Sequence, residues 1–165
     1  MKQAPVVLAD YDPIWPQEFE REKRLLLRIA GEFLTGTVEH VGSTAVPGLI
    51  AKPVIDIMFG VRSLTDSTPA IDLLEANGYE YADYKTDVMH WLCKPSQEYR
   101  THHLHLVPYL SDLWRQRIRF RDLLRADERL ASEYAELKRS LAEMYKEDRE
   151  AYTLAKWPFI QRALR

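Results

Sequence analysis

The spacing of apolar residues along the chain assigns most of its elements. Ile14, Trp15, Phe19, Leu25, Leu26 and Ile29 recur at roughly helical steps, so the first long segment reads as an amphipathic helix. Asp12 stands where a cap belongs, Pro13 suits the first helical position, and Gly31 or the Thr35-Gly36 pair closes the segment. Ahead of it, Val6-Val7-Leu8 reads as a short strand or an extended arm. Thr37 to Val41 then reads as a strand running into Gly42-Ser43, followed by a tight loop from Ser43 to Lys52. Val54 to Val61 is a continuous β-branched and apolar run, the pattern of a strand buried on both faces. Thr68-Pro69 opens a short helix through Leu73, Leu74 and Ala76, and Asn77-Gly78 stops it.

Three further strands are expected at Tyr79 to Tyr84, Val88 to Lys94 and Thr101 to Val107. Pro95-Ser96-Gln97 supplies a turn between the last two, which makes them an antiparallel pair. From Ser111 the pattern is helical. One helix runs to about Arg125, and a second carries Leu130, Tyr134, Leu137, Leu141 and Met144. A third starts near Asp148, carries Tyr152, Leu154 and Ala155, and should be kinked or shortened by Pro158. The order predicts an α/β (α+β) fold in one domain. A mixed sheet with flanking helices occupies residues 1–110, and helices over 111–165 cap it.

Composition narrows the function classes. The chain has 165 residues, 46% of them hydrophobic, enough for a core without covalent staples. Its net charge is −2, which disfavours a nucleic-acid binder working by backbone neutralisation. The single cysteine, Cys93, excludes an internal disulfide and a cysteine-based zinc site, and fits a reducing compartment. The N-terminal MKQAPVVLADYDP lacks the apolar run of a signal peptide, and no window reaches the ~18 apolar residues of a membrane span. A cytoplasmic protein without membrane contact is expected, with self-association into a homo-oligomer left open.

The candidate chemistry begins at Glu39-His40-Val41-Gly42-Ser43-Thr44. Glycine lets backbone N–H groups approach an anion closely, and the hydroxyls of Ser43 and Thr44 add donors. A helical turn starting after Gly42 would also favour phosphate. Asp56 interrupts the aliphatic strand that follows, so its carboxylate must be paired, metal-bound or open to a cleft. Lys52 lies just before that strand, either reaching a phosphate or simply solvated. A Gly-Ser turn alone is weak evidence; strand, Gly-Ser turn, loop, strand and aspartate together are more specific.

The string HVGSTAVPGLIAKPVIDI, His40 to Ile57, resembles the signature of the GrpB (UPF0157) family. THHLHLV at Thr101 to Val107 and FRDLLRADERLASEYAELKRSLA at Phe120 to Ala142 extend the resemblance, as do Tyr11-Asp12-Pro13, Trp15, Tyr152, Lys156 and Phe159-Ile160. It covers nearly the whole chain. It implies a nucleotidyltransferase-like fold, with a Gly-Ser turn on phosphate and two carboxylates, one residue apart, holding divalent metal on a nucleoside triphosphate. Gly42 and Ser43 take the turn positions and Asp56 the first carboxylate, whereas the second falls on Met58. A thioether is a poor magnesium ligand. Some family members are fused to dephospho-CoA kinase, but this chain has no Gly-Lys-Ser/Thr phosphate loop, so that activity is not expected.

The second constellation is His102-His103-Leu104-His105-Leu106-Val107. Strand alternation puts His103 and His105 on one face with Val107, and His102 on the other with Leu104 and Leu106. Asp56 shares a face with Val54 and Met58. Convergence of Asp56, His103 and His105 would make a catalytic or metal-ligating cluster; otherwise the imidazoles only hydrogen-bond in a semi-polar cavity. The metal would be magnesium or manganese if linked to a nucleotide, or a transition metal through the histidines. The ligand expected is a nucleotide or phosphorylated small molecule. Two functions follow: a metal-dependent nucleotidyl or phosphoryl transferase, or a binding module of the same fold without that chemistry.

Other positions carry less. Arg100, Arg119 and Arg121 are candidate anion contacts, with Arg121 better suited to pair with Asp122 or Glu128. The arginines from Arg115 to Arg129 form a charged helix face, solvated or framing a cleft. His40 either lines the pocket or is satisfied by backbone. Trp15, Trp91, Trp114 and Trp157 read as packing aromatics and Cys93 as structural. Ser43 lacks the Gly-x-Ser-x-Gly setting of a hydrolase nucleophile.

Overall fold

The computed structural model describes residues 5–165; residues 1–4, part of the stretch read above for a leader, lie outside the described residues. Five strands form one mixed sheet: β1 (Leu34–Val41), β2 (Ile55–Val61), β3 (Glu80–Ala82), β4 (His90–Pro95) and β5 (Arg100–Pro108). Their order is β1-β2-β5-β4-β3. The central pair β2 and β5 is parallel, and the other neighbours are antiparallel. Helices α1 (Trp15–Ala30) and α2 (Leu64–Glu75) cover one face. Helix α3 (Asp112–Ala126) packs on the other, followed by α4 (Glu128–Met144), α5 (Arg149–Ala155) and α6 (Trp157–Ala163). No described helix is long and apolar enough to cross a membrane.

Alternation along β2 explains the layering. Ile55, Ile57, Phe59 and Val61 point to α1 and α2, where they meet Leu26, Leu74, Leu104 and Leu106. Met58 points the other way into Val41, Met89, Trp91, Cys93, Val107 and Trp114. Asp56 shares that second face, at the end of the strand where the packing opens. Burying both faces makes β2 an almost unbroken apolar run.

Across the first face, α1 is fixed by a buried charge. Glu22 accepts a hydrogen bond from Tyr79 Oη at 2.6 Å and pairs with Lys94. His102 comes within 3.9 Å of the same carboxylate, so it faces α1 with Leu104 and Leu106, as alternation requires.

Several boundaries differ from expectation, each for a local reason. The first helix begins at Trp15 with Pro16 in its first turn, while Asp12 Oδ1 accepts from Ile14 N at 2.9 Å in a turn just ahead. Helix α2 starts at Leu64, not at Thr68-Pro69. Ser63 Oγ accepts from Asp66 N at 3.0 Å, and this cap outcompetes the later Thr-Pro signal and leaves Pro69 inside the helix. Pro158 opens a new helix instead of kinking the third. The chain breaks at Lys156, and the proline sits in the first turn of α6, where its missing N–H costs nothing. Val6-Val7-Leu8 is an arm: Val6 N donates to Lys146 O at 2.7 Å, and a bridge between Ala9 and Ala51 ties its end to the loop before β2.

Candidate functional site

Register places the central chemistry. In the parallel β2–β5 ladder Asp56 lies opposite His103, and Met58 opposite His105. His103 Nδ1 donates to Asp56 Oδ1 at 2.9 Å, and His105 Nε2 stands 3.5 Å from the same oxygen. In the antiparallel β1–β2 ladder Val41 lies opposite Asp56, which brings Gly42 against the carboxylate. Gly42 has φ 74° and ψ −174°, and a Cβ there would lie 2.5 Å from Asp56 Oδ2. Glycine at this position therefore serves both the backbone and the close approach. A short 3₁₀ turn, Ser43–Ala45, starts directly after it.

These groups share a cavity of about 700 Å³, of the size that takes a small ligand. Gly42, Ser43, Thr44, Lys52, Asp56, His103 and His105 all line it. Asp56 keeps 29% of its side-chain surface exposed, so the carboxylate faces the opening. The Thr44 hydroxyl is engaged on both sides, donating to Val54 O at 3.1 Å with His40 Nε2 at 2.9 Å. What Thr44 offers the cavity is backbone. Its partner His40 is buried and stacked on Phe19 at 4.9 Å, so it braces the turn from behind.

The arginine face of α3 divides. Arg125 Nε donates to Ala45 O at 2.8 Å, and Arg121 reaches Glu39 Oε2 at 2.7 Å and His40 O at 3.1 Å, so both hold the Gly-Ser turn. Arg121 also bonds Asp122 at 2.9 Å, one of its two expected partners. Arg117 lines the cavity beside His105, whereas Arg115 and Arg119 line a separate shallow groove with Trp157. Arg100 lines the cavity with its guanidinium 5.0 Å from the Trp91 ring.

Electrostatics suit the cluster to a cation. Burial works against the Asp56 charge, but hydrogen bonds from His103 and His105 prevail and hold the carboxyl well below its ordinary range. Burial, helped by Arg117, pulls His105 down to about 3 against the attraction of Asp56. Near neutral pH the site thus presents an ionised carboxylate beside a neutral imidazole, the states a metal requires. One ligand atom from each of Asp56, His103 and His105 lies within 4.8 Å of the others. The contacts of 2.9 and 3.5 Å are hydrogen bonds, and a metal ligated by the same atoms would take the place of the protons in them. His103 Nε2 is buried without a hydrogen-bond partner. Met58 is fully buried, and Glu39, opposite it on β1, is engaged by Arg121, so neither position brings a second carboxylate to Asp56, and the metal-ligating cluster among the described residues holds one.

Sequence reasoning missed much of the lining. Lys138 of α4, Arg149 of α5, Lys156, Tyr134 and Tyr152 all line the same cavity as the triad. One signal was present: Lys138 lies four residues after Tyr134 and three before Leu141, on the apolar stripe of its helix. A lysine there is drawn into the interior, and Lys138 is buried with its ammonium donating to Ile50 O.

A family model described as GrpB protein matches residues 5–165. The chain is similar to the glutamate-rich protein GrpB of Alkalihalophilus pseudofirmus, 36% identical over 169 residues, covering 99% of this chain and 97% of that one. It is 41% identical over 157 residues to a UPF0157 protein of Pseudomonas aeruginosa, covering 93% of this chain and 64% of that one. Among solved structures, the crystal structure of conserved protein GrpB from Enterococcus faecalis matches with a TM-score of 0.85 at 31% identity, covering 95% of this chain and 94% of that one.

Proposed function

The chain belongs to the GrpB family, and from that premise we propose that its cavity binds a nucleotide or other phosphorylated small molecule together with a divalent metal. Asp56, His103 and His105 hold the metal, and Gly42 and Ser43 present backbone and hydroxyl donors to phosphate. The observation that carries this is the meeting of the three side chains in a cavity that also carries a cationic wall. A metal there supplies Lewis-acid neutralisation of phosphate charge, the main demand of nucleotidyl or phosphoryl transfer. With two imidazoles and one carboxylate the donor set favours manganese, cobalt or zinc over magnesium.

Metal titration followed by thermal unfolding tests this. Manganese or cobalt at a hundredfold its dissociation constant stabilises the fold by about 2.7 kcal/mol. For a chain of this length that raises the midpoint by roughly 5–10 °C. Nucleotide should add a further rise that Asp56→Asn abolishes. Nucleotide stabilisation that ignores both metal and Asp56→Asn would sink the metal-dependent form. A binding module without turnover is the second reading, favoured by Met58 in the place of a carboxylate. Incubation with labelled nucleoside triphosphates separates the two: pyrophosphate or phosphate release supports transfer, and tight binding without release supports the module.

A further inference from the structure

The cavity also carries a set of cations, its cationic wall, that neither the Gly-Ser turn nor the metal cluster uses. Lys52 from the loop before β2, Arg100 from β5, Lys138 from α4, Arg149 from α5 and Lys156 after it all line one cavity. None of the five makes a salt bridge among the described residues. Their partners are neutral instead. Lys138 Nζ donates to Ile50 O and lies 4.9 Å from the Tyr134 ring. Lys52 and Lys156 share the Tyr152 ring, at 5.2 and 4.4 Å. Arg149 Nε is buried with no partner at all.

Like charges gathered in a cleft, one buried and four half-buried, without salt-bridge partners are unfavourable. Here the strain shows in the lysines. Burial, then repulsion from Lys156, Lys52 and Arg139, pulls Lys138 down to about 7. Burial, then Lys52, does the same to Lys156, with Asp56 pulling the other way. A chain with net charge −2 has acids in surplus, and Asp56, Asp83 and Glu150 line the same cavity, yet none of them forms a salt bridge with these five cations among the described residues. A single phosphate, with a charge near −2, would leave most of the wall uncompensated.

We infer that Lys52, Arg100, Lys138, Arg149 and Lys156 form a subsite for a run of linked phosphates, so that the ligand carries a di- or triphosphate and is selected by the number of its charges. This rests on the cavity being a phosphate-compound site, as proposed above, but on neither the metal nor any transfer step. The C-terminal helices are thereby a working half of the site, since α4, α5 and the residue that joins α5 to α6 bring three of the five cations.

The test uses inorganic orthophosphate, pyrophosphate and tripolyphosphate on the full chain, with chelator present and ionic strength held constant, read by calorimetry. Affinity should rise at least tenfold from orthophosphate to tripolyphosphate. Lys156→Met and Arg149→Met should each weaken tripolyphosphate binding at least tenfold, and Arg24→Ala, an exposed cation elsewhere, should leave it unchanged. Lys138→Met keeps side-chain volume, so a folded variant with weakened binding is the expected result there as well. Equal affinity for the three anions, or binding indifferent to Lys156→Met and Arg149→Met, would overturn the subsite. Manganese binding by those two variants should match the parent. Failure of the metal reading would appear as absent manganese binding with tripolyphosphate binding intact, so the two proposals fail separately.

Discussion

Replacing Gly42 by alanine probes how far the site depends on one backbone position. Gly42 holds φ 74° and ψ −174°, a region open essentially to glycine alone. An alanine Cβ would lie 2.5 Å from Asp56 Oδ2 and 3.1 Å from its Cβ and Cγ. Two costs therefore combine. Backbone strain is about 1–3 kcal/mol. Pushing the carboxylate aside weakens its hydrogen bond from His103, a charge-assisted bond of about 1.5–3 kcal/mol. Gly42→Ala should lose about 2.5–6 kcal/mol in total. Gly48 is the control, with φ 79° and nothing within 4 Å of the added carbon. Gly48→Ala meets only left-handed strain, about 1–2 kcal/mol. Urea denaturation of both variants near neutral pH, with chelator present, reads the difference. Histidine ring resonances of His103 and His105 should move in Gly42→Ala and stay fixed in Gly48→Ala. Unfolding free energies within about 0.5 kcal/mol of each other, with unmoved histidine signals, would refute the close packing of Gly42 on Asp56.

Acid stability should report His40. Burial, with help from Arg125 and Arg121 and against Asp56, lowers it from 6.5 to about 4. Unfolded chains take that proton near pH 6.5 and the native state refuses it, so the contribution is complete above that value. It then declines by up to ~1.4 kcal/mol per pH unit as pH falls towards 4. His40→Gln should flatten the dependence of the urea midpoint on pH by that amount, and an unaltered slope would contradict a buried neutral imidazole. Glu22→Ala strands a Lys94 ammonium only 20% exposed and should cost about 3–4 kcal/mol, with Glu22→Leu plus Lys94→Met recovering most of it. A single variant as stable as the parent would show that the pair does not clamp α1. Tripolyphosphate should also bind with net proton uptake near neutral pH. The anion raises Lys138, which faces Lys52, Lys156, Arg139 and Tyr134, and Lys156, which faces Lys52, Asp56 and Tyr152. Calorimetry in two buffers of different protonation enthalpy measures the uptake, which should vanish about a unit below pH 7, where both amines are already charged. Zero uptake at neutral pH would remove that link.

Much of this protein was legible in its residues because the relevant forces are local. Periods of two and 3.6 residues mark which side of an element faces the core, so the strands, the helices and the face shared by His103 and His105 could be read directly. The Gly-Ser turn and the lone aspartate in an aliphatic strand stood out for the same reason: each breaks its local pattern. Where two local signals competed, as at Ser63 and Thr68-Pro69, the stronger cap won and the boundary moved.

Pairing register and the path of the C-terminal helices lay beyond that reach. Asp56 and His103 are 47 residues apart, and only the parallel β2–β5 ladder brings them to 2.9 Å. The cationic wall needs α4 and α5 folded back over the sheet. Lys138 betrays itself only by its place on an apolar helix stripe, and no local property of Arg149 or Lys156 distinguishes them from solvated surface charges until a cavity forms between them. Conformational preference acts over a few residues, whereas burial and charge clustering depend on which distant surfaces meet. The sequence by itself therefore determined the elements and their faces, and tertiary packing decided which charges would share a site.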